Sequence, residues 1–427
     1  MRTVRSAAML LSAASSIERL QPILAGLGFD DGCHPIDTTT RAALRIPADF
    51  RELSIARGAG ALRAFVATAP PVLGIRDATM RAASRLASSA PHILWLLVVM
   101  DAEREQLALA AWAGGRTPPG IAALIVERSR VVDSDGETLA ALAAARGGLD
   151  VLTHTRWLEI LGRESVTRRF YRSLERVVHG FAGAVAPHGT TEERTELALL
   201  CVSRLLFLSF LEAKGWLAGD RAFLARGFDG CLAGGGNYHR RVLLPLFHGT
   251  LNTRFSARAP AARAFGRVPF LNGGLFARTA TERRYRGLLF PDSQFGILFG
   301  DLLGRYRFTA REDSATWSEA AIDPEMLGKA FESIMASRER RDSGAYFTPH
   351  ALVDRVTTGA LRHAIAESGV DDAEVEALLR GDSHSALRGR VLRDRLERIR
   401  VLDPACGSGA FLVHTLERLS AMLVVLG

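Results

Sequence analysis

The chain has 427 residues, 48% of them hydrophobic, which is enough for two or three domains with substantial cores. Its net charge is +8, and only Lys214 and Lys329 are lysines, so arginine carries nearly all of the excess. Heavy Ala and Gly use accompanies the arginine, as in a GC-rich genome, so composition alone does not argue for nucleic-acid binding. Cys33, Cys201, Cys231 and Cys406 show no Cys-x-x-Cys and no metal spacing, which points to a reduced cytoplasm and to no metal site. No run approaches the roughly 18 apolar residues of a membrane span.

Met1 to Ser16 places Arg2 and Arg5 before an Ala/Leu/Ser stretch, which faintly resembles a short signal peptide. The apolar face continues through Ile17, Leu20, Ile23, Leu24 and Leu27 to Gly28, and this favours an ordinary first helix. Residues 1–150 then read as an α/β domain. Strands are expected over Ala61–Ala69, His92–Met100, Glu105–Trp112 and Ile121–Arg128, and helices over Asp77–Ser88 and Asp135–Arg146.

Residues 151–320 read as a helical connector. Arg156 to Ala184 has apolar residues at helical spacing, and Thr190 with Glu193 forms a capping box for a helix running to Ala213. That helix is apolar nearly all round, so it belongs at the centre of a bundle. Gly227 to Gly236 reads as a glycine-rich loop, and an apolar run resumes over Val242–Phe247. Between Arg254 and Arg286 eight arginines face a single acid, Glu282, a local charge of +7. Phosphate contact is a natural use for such a concentration, with Arg278, Arg283, Arg284 and Arg286 the DNA-binding candidates. The alternative is a solvated surface in an arginine-rich protein.

The most specific stretch lies near the end of the sequence. Val401-Leu402-Asp403-Pro404-Ala405-Cys406-Gly407-Ser408-Gly409-Ala410-Phe411-Leu412 reads as a strand over 398–402, a glycine turn, and a helix over Ala410–Leu423. Gly407 and Gly409 allow a tight turn and a close ligand, and the helix N-terminus offers free N–H groups. Upstream lies Gly344-Ala345-Tyr346-Phe347-Thr348-Pro349, with Pro349 suited to open a helix over His350–Ile365. Helices are expected over His350–Ser368 and Val375–Arg400, with Gly381–Ser385 between them.

Asp-Pro-Ala-Cys-Gly-Ser-Gly-Ala-Phe-Leu resembles the S-adenosylmethionine (SAM) motif of the adenine-N6 DNA methyltransferases. Gly-Ala-Tyr-Phe-Thr-Pro resembles the segment that closes over the methionine end of SAM in the same enzymes. Val268 to Phe276, which contains Phe-Leu-Asn-Gly-Gly-Leu-Phe, and Leu206 to Leu217 resemble stretches of the large single-chain members fused to restriction or phage-defence functions.

The resemblance implies that residues 321–427 are the start of a Rossmann-like class I methyltransferase domain. It implies SAM held by Gly344, Tyr346, Thr348, Pro349, Asp403, Pro404, Ala405, Cys406, Gly407, Gly409 and Phe411. Its substrate is double-stranded DNA, in which the methyl group passes to N6 of a flipped-out adenine. Defence-system proteins are further partners. The Asn/Asp-Pro-Pro-Tyr/Phe motif that holds the adenine in that family is absent. It belongs C-terminal to the glycine motif, and the sequence stops eighteen residues past Gly409. The expectation is therefore the front part of a longer enzyme, inactive alone, with no catalytic residue in this chain.

Nuclease domains that precede such methyltransferases usually hold Mg²⁺ with paired acids and a Glu-x-Lys. No lysine precedes Lys214, and Glu212-Ala213-Lys214 lies in a helix where the two side chains diverge. The first domain is expected to be a degenerate nuclease-like or partner-binding domain that needs no Mg²⁺. The rival readings are an Mg²⁺-dependent nuclease, a DNA- or partner-binding module, and the modification subunit of a multi-subunit system.

Overall fold

Short apolar runs organise the first part of the chain. Among the described residues seven strands form one mixed sheet in sequence order: β1 (Cys33–Pro35), β2 (Arg51–Arg57), β3 (Leu62–Thr68), β4 (Leu94–Met100), β5 (Gln106–Trp112), β6 (Ile121–Glu127) and β7 (Trp317–Glu319). The computed structural model describes residues 3–58, 60–114, 119–185, 189–271, 274–309, 316–323, 350–367, 370–380, 386–404 and 409–426. The chain divides into two compact units, Met1–Ile334 and Met335–Gly427.

In β4, Leu96, Val98 and Met100 enter one core while Trp95, Leu97 and Val99 enter the other. This is the period-two alternation of a strand covered on both faces. Strands β3 and β4 run parallel, which requires a crossover, and α4 (Ile75–Ser89) supplies it. Helix α4 packs Ile75, Ala78, Ala82 and Leu86 on one face of the sheet. The other face is covered by α1 (Val4–Ala13), α2 (Ile17–Gly26), α5 (Asp133–Ala144) and α6 (Asp150–Leu161).

That second core is continuous with the helical region. It runs on through α7 (Arg163–Ala184), α8 (Thr191–Ala213), α9 (Phe223–Ala233) and α12 (Asp292–Leu298) to Ile322. The short helices α3 (Thr38–Ala43), α10 (Pro260–Arg263) and α11 (Ala280–Arg284) complete this unit. Buried Asp135 pairs with Arg307, and Glu137 receives both Arg169 and Arg305, so α5 is tied to α7 and to the chain after residue 304. Strand β7 then returns to pair with β6.

Several sequence expectations are corrected. Strands β1, β2 and β7 were not expected: β1 and β7 are three residues long, and β2 carries a bulge between Arg51 and Ser54 that breaks its alternation. The first helix is two helices, because Ser16 caps the second. Residues 156–184 are likewise split, at Gly162 between α6 and α7. Gly227–Gly236 is not a loop. Most of it lies in α9, where Leu224, Phe228 and Cys231 bury one stripe, and that packing outweighs the low helix propensity of Gly227 and Gly230. The run over Val242–Phe247 forms wide π-helical turns, His239–Leu243 and Pro245–Leu251.

The second unit contains α13 (His350–Glu367), α14 (Asp372–Arg380), α15 (Ala386–Glu397) and α16 (Ala410–Val425) around Leu361, Val375, Leu378, Leu392 and Met422. The helix expected over Val375–Arg400 is seen as α14 and α15, and Gly381–Ser385 lie outside the described residues. The strand expected over 398–402 does not form. Val401 and Leu402 are exposed, at 47% and 87%, and no other strand is found among the described residues of this unit. A lone strand has no ladder to satisfy its backbone groups.

Candidate functional site

Helix α16 starts directly after Gly409, whose φ of +80° is open to glycine and costly for a residue with a β-carbon. The first helical bond runs from the Val413 N–H to the Gly409 carbonyl at 2.9 Å. The N–H groups of Ala410, Phe411 and Leu412 therefore have no acceptor within the helix. Asp403 and Phe411 are half-buried, and Pro404 is exposed. His414 of α16 reaches Asp354 of α13 at 3.0 Å and fixes the two helices together. Ala405, Cys406 and Gly407 lie outside the described residues, as do Gly344, Tyr346, Thr348 and Pro349.

The arginine-rich segment separates into two kinds of residue. Arg258 is buried, and its guanidinium donates to the carbonyls of Thr253, Val268 and Pro269 at 2.9–3.2 Å. Arg263 donates to the Arg258 carbonyl at 3.0 Å. Arg284 pairs with Glu193 at 2.5 Å. Arg283 is exposed and donates to the Arg278 carbonyl at 2.6 Å. Arg278 and Arg286 are exposed at the mouth of a small cavity of about 30 Å³. Much of the local positive charge thus holds the segment's own loops together.

Arg204 was not singled out from the sequence, although it is the single charged residue between Glu196 and Glu212. It is 2% exposed and forms a two-pronged pair with Glu282 at 2.6 and 3.0 Å. The same guanidinium donates to the carbonyls of Leu275 and Ala277 at 2.7 and 2.9 Å. Burial works against the Glu282 carboxylate, yet Arg204 and the Thr279 N–H outweigh it and hold its pKa below the usual value. The Leu275-Phe276 end of the Asn-Gly-Gly motif is therefore pinned to the central helix α8. Asn272 and Gly273 lie outside the described residues.

At the end of β4 to β6 a cleft of about 410 Å³ is lined by Asp101, Glu103, Glu105 and Glu127, with Arg221 paired to Glu127 at 3.0 Å. No group of three or more potential metal ligands is gathered among the described residues. Glu52 in the β2 bulge is engaged by Arg104 at 2.6 Å and by the Thr68 hydroxyl at 2.7 Å. The Glu212–Lys214 pair parts company: Glu212 is buried and accepts from the Leu224 N–H at 2.9 Å, whereas Lys214 lies over the exposed Trp216 ring.

Residues 380–425, which span the Asp403–Phe411 stretch and α16, match the family model of the MmeI DNA-methyltransferase domain. Over those residues the chain is similar to a DNA-methyltransferase domain. It is 27% identical over 305 residues to a protein of Methanocaldococcus jannaschii named for a type II restriction enzyme and methyltransferase. The match covers 60% of this chain and 26% of that protein, so the chain spans about a quarter of the relative's length. No solved structure matches the chain. No helix among the described residues is long and apolar enough to cross a membrane.

Proposed function

We propose that this chain carries the SAM-binding turn of a restriction–modification DNA methyltransferase acting on adenine N6. The observation that carries the reading is the left-handed Gly409 at the head of α16, with three N–H groups left without a helical acceptor, inside a segment that matches a DNA-methyltransferase family. Such a turn accepts an anionic or polar ligand against bare backbone. Asp403 holds the ammonium or a ribose hydroxyl, and Gly407 and Gly409 leave room for the ligand. Phe411 flanks the turn. Gly344, Tyr346, Thr348 and Pro349 close over the methionine end, with the Thr348 hydroxyl on its carboxylate. When bound, SAM supplies the methyl group that is transferred. Double-stranded DNA is the substrate and the cytoplasm the location, in a restriction or phage-defence setting.

The residues expected to hold the flipped adenine are not among those of this chain, so the test is cofactor binding rather than turnover. Calorimetric titration of SAM should show binding to the wild-type protein and none to Gly409→Val or Asp403→Ala. An affinity unchanged by both substitutions would overturn the assignment.

A further inference from the structure

The cavity beneath Arg278 and Arg286 has features that DNA-facing arginines in general do not require. Its polar wall residues are Arg204, His239, Glu282 and Tyr285, set among apolar ones such as Phe247 and Leu288. The Arg204 and Glu282 charges cancel within their pair. Tyr285 donates to Glu193 at 2.8 Å. Neither Arg278 nor Arg286 has an acidic partner within 4 Å among the described residues. The mouth therefore carries two uncompensated guanidinium groups, while the segment's other arginines include Arg258, Arg263 and Arg284, which are engaged within the protein.

His239 also lines this cavity. The Phe290 N–H donates to its Nδ1 at 3.3 Å, so the proton of the neutral ring sits on Nε2. Burial pushes the pKa of this imidazole down to about 4, so the ring stays neutral near pH 7. A volume of about 30 Å³ has room for one or two water-sized groups. An oxygen of a tetrahedral anion fits it, with the remaining oxygens facing the two guanidinium groups outside.

We propose that Arg278 and Arg286, at the mouth of the cavity walled by His239, form a subsite for one phosphate group. The chemistry is shared by a DNA backbone phosphate and free inorganic phosphate. The DNA source rests on the reading given under the proposed function, and the subsite itself does not.

Two measurements on the full chain separate these. The first is binding of a labelled DNA duplex over a range of salt concentrations. The second is the rise in melting temperature produced by inorganic phosphate. Both compare wild type with Arg278→Ala/Arg286→Ala. The control is Arg19→Ala/Arg176→Ala, which removes the same charge from the exposed Arg19 and from Arg176, paired with Asp301. A DNA phosphate in the subsite predicts that the slope of log K against log salt falls by about 0.9 per lost contact in the first variant, and not in the control. Loss of the phosphate-induced rise alone would keep the subsite and remove DNA as its occupant. A variant indistinguishable from the control in both measurements overturns the proposal. Arg278→Lys/Arg286→Lys guards against misfolding: it keeps the charge and the salt slope but loses the planar fork, so its affinity should drop.

Discussion

Glu52 and Arg104 stand 2.6 Å apart, and both occupy the left-handed backbone region, with φ of 49° and 60°. Glu52 sits in the β2 bulge and Arg104 in the turn between β4 and β5, so one ion pair joins two strained positions across the end of the sheet. Arg104 also donates to the Ser15 carbonyl at 2.8 Å and so reaches the link between α1 and α2. A side chain in this backbone region costs roughly 1–2 kcal/mol. Arg104→Ala loses the contacts and keeps the strain, whereas Arg104→Gly loses the same contacts and relieves it. The Gly variant should be the more stable by about 1 kcal/mol in urea unfolding. Equal stabilities would mean that position 104 stores no strain.

The engagement of Glu52 bears on the nuclease alternative. Its carboxylate is occupied by Arg104 and Thr68, and the sequence offers no lysine before Lys214. Magnesium is therefore expected neither to raise the melting temperature nor to produce nicking of supercoiled DNA. Nicking that disappears in Glu52→Gln would restore the nuclease reading of the first domain.

Arg204 and Glu282 form a deeply buried ion pair in the connector, at 2% and 13% side-chain exposure. Removing one partner strands the other charge, at a cost of about 3–5 kcal/mol. Arg204→Ala should lose stability on that scale, and the loss should exceed that of Arg284→Ala, whose guanidinium is 70% exposed. Similar unfolding midpoints for the two variants would show that Arg204 does not hold the Leu275–Ala277 segment.

Burial raises the pKa of Glu212 from 4.5 to about 7. A carboxyl with a raised folded pKa binds more protons folded than unfolded, so stability falls as pH rises from about 4.5 to about 7, and levels off above that. The shift corresponds to roughly 3 kcal/mol. Glu212→Gln keeps an acceptor for the Leu224 N–H and removes the ionisation. Its melting temperature should gain on wild type as pH rises from 5 to about 7.5, as followed by circular dichroism. A constant difference across that range would mean that Glu212 titrates normally.

Four of the seven strands among the described residues were legible because their apolar residues run almost unbroken and end at Gly, Pro or charged turns. Leu94–Met100 is apolar at every position, as a strand covered on both faces is, and the structure shows its residues alternating between two cores. Strand β7 was hidden because three residues carry no period, and their pairing with β6 depends on a chain segment that returns from the connector. The glycine count around α9 misled for a related reason: propensity is local, while the burial of Leu224, Phe228 and Cys231 is supplied by the surrounding helices.

The sequence by itself singled out the Asp403–Phe411 stretch, which lies within the residues that match a DNA-methyltransferase family model. Asp403 to Phe411 is a contiguous stretch whose glycines and helix start are properties of local backbone, so its type could be read without neighbours. Which arginines are committed and which are available was decided only by the tertiary structure. Arg204 meets Glu282, Arg284 meets Glu193, and Arg258 meets three carbonyls, whereas Arg278 and Arg286 meet no acid among the described residues. All of these residues look alike in a list of charges. Their roles differ because the strength of a charge interaction depends on burial and on partners brought in from distant parts of the chain, and only the folded chain brings them together.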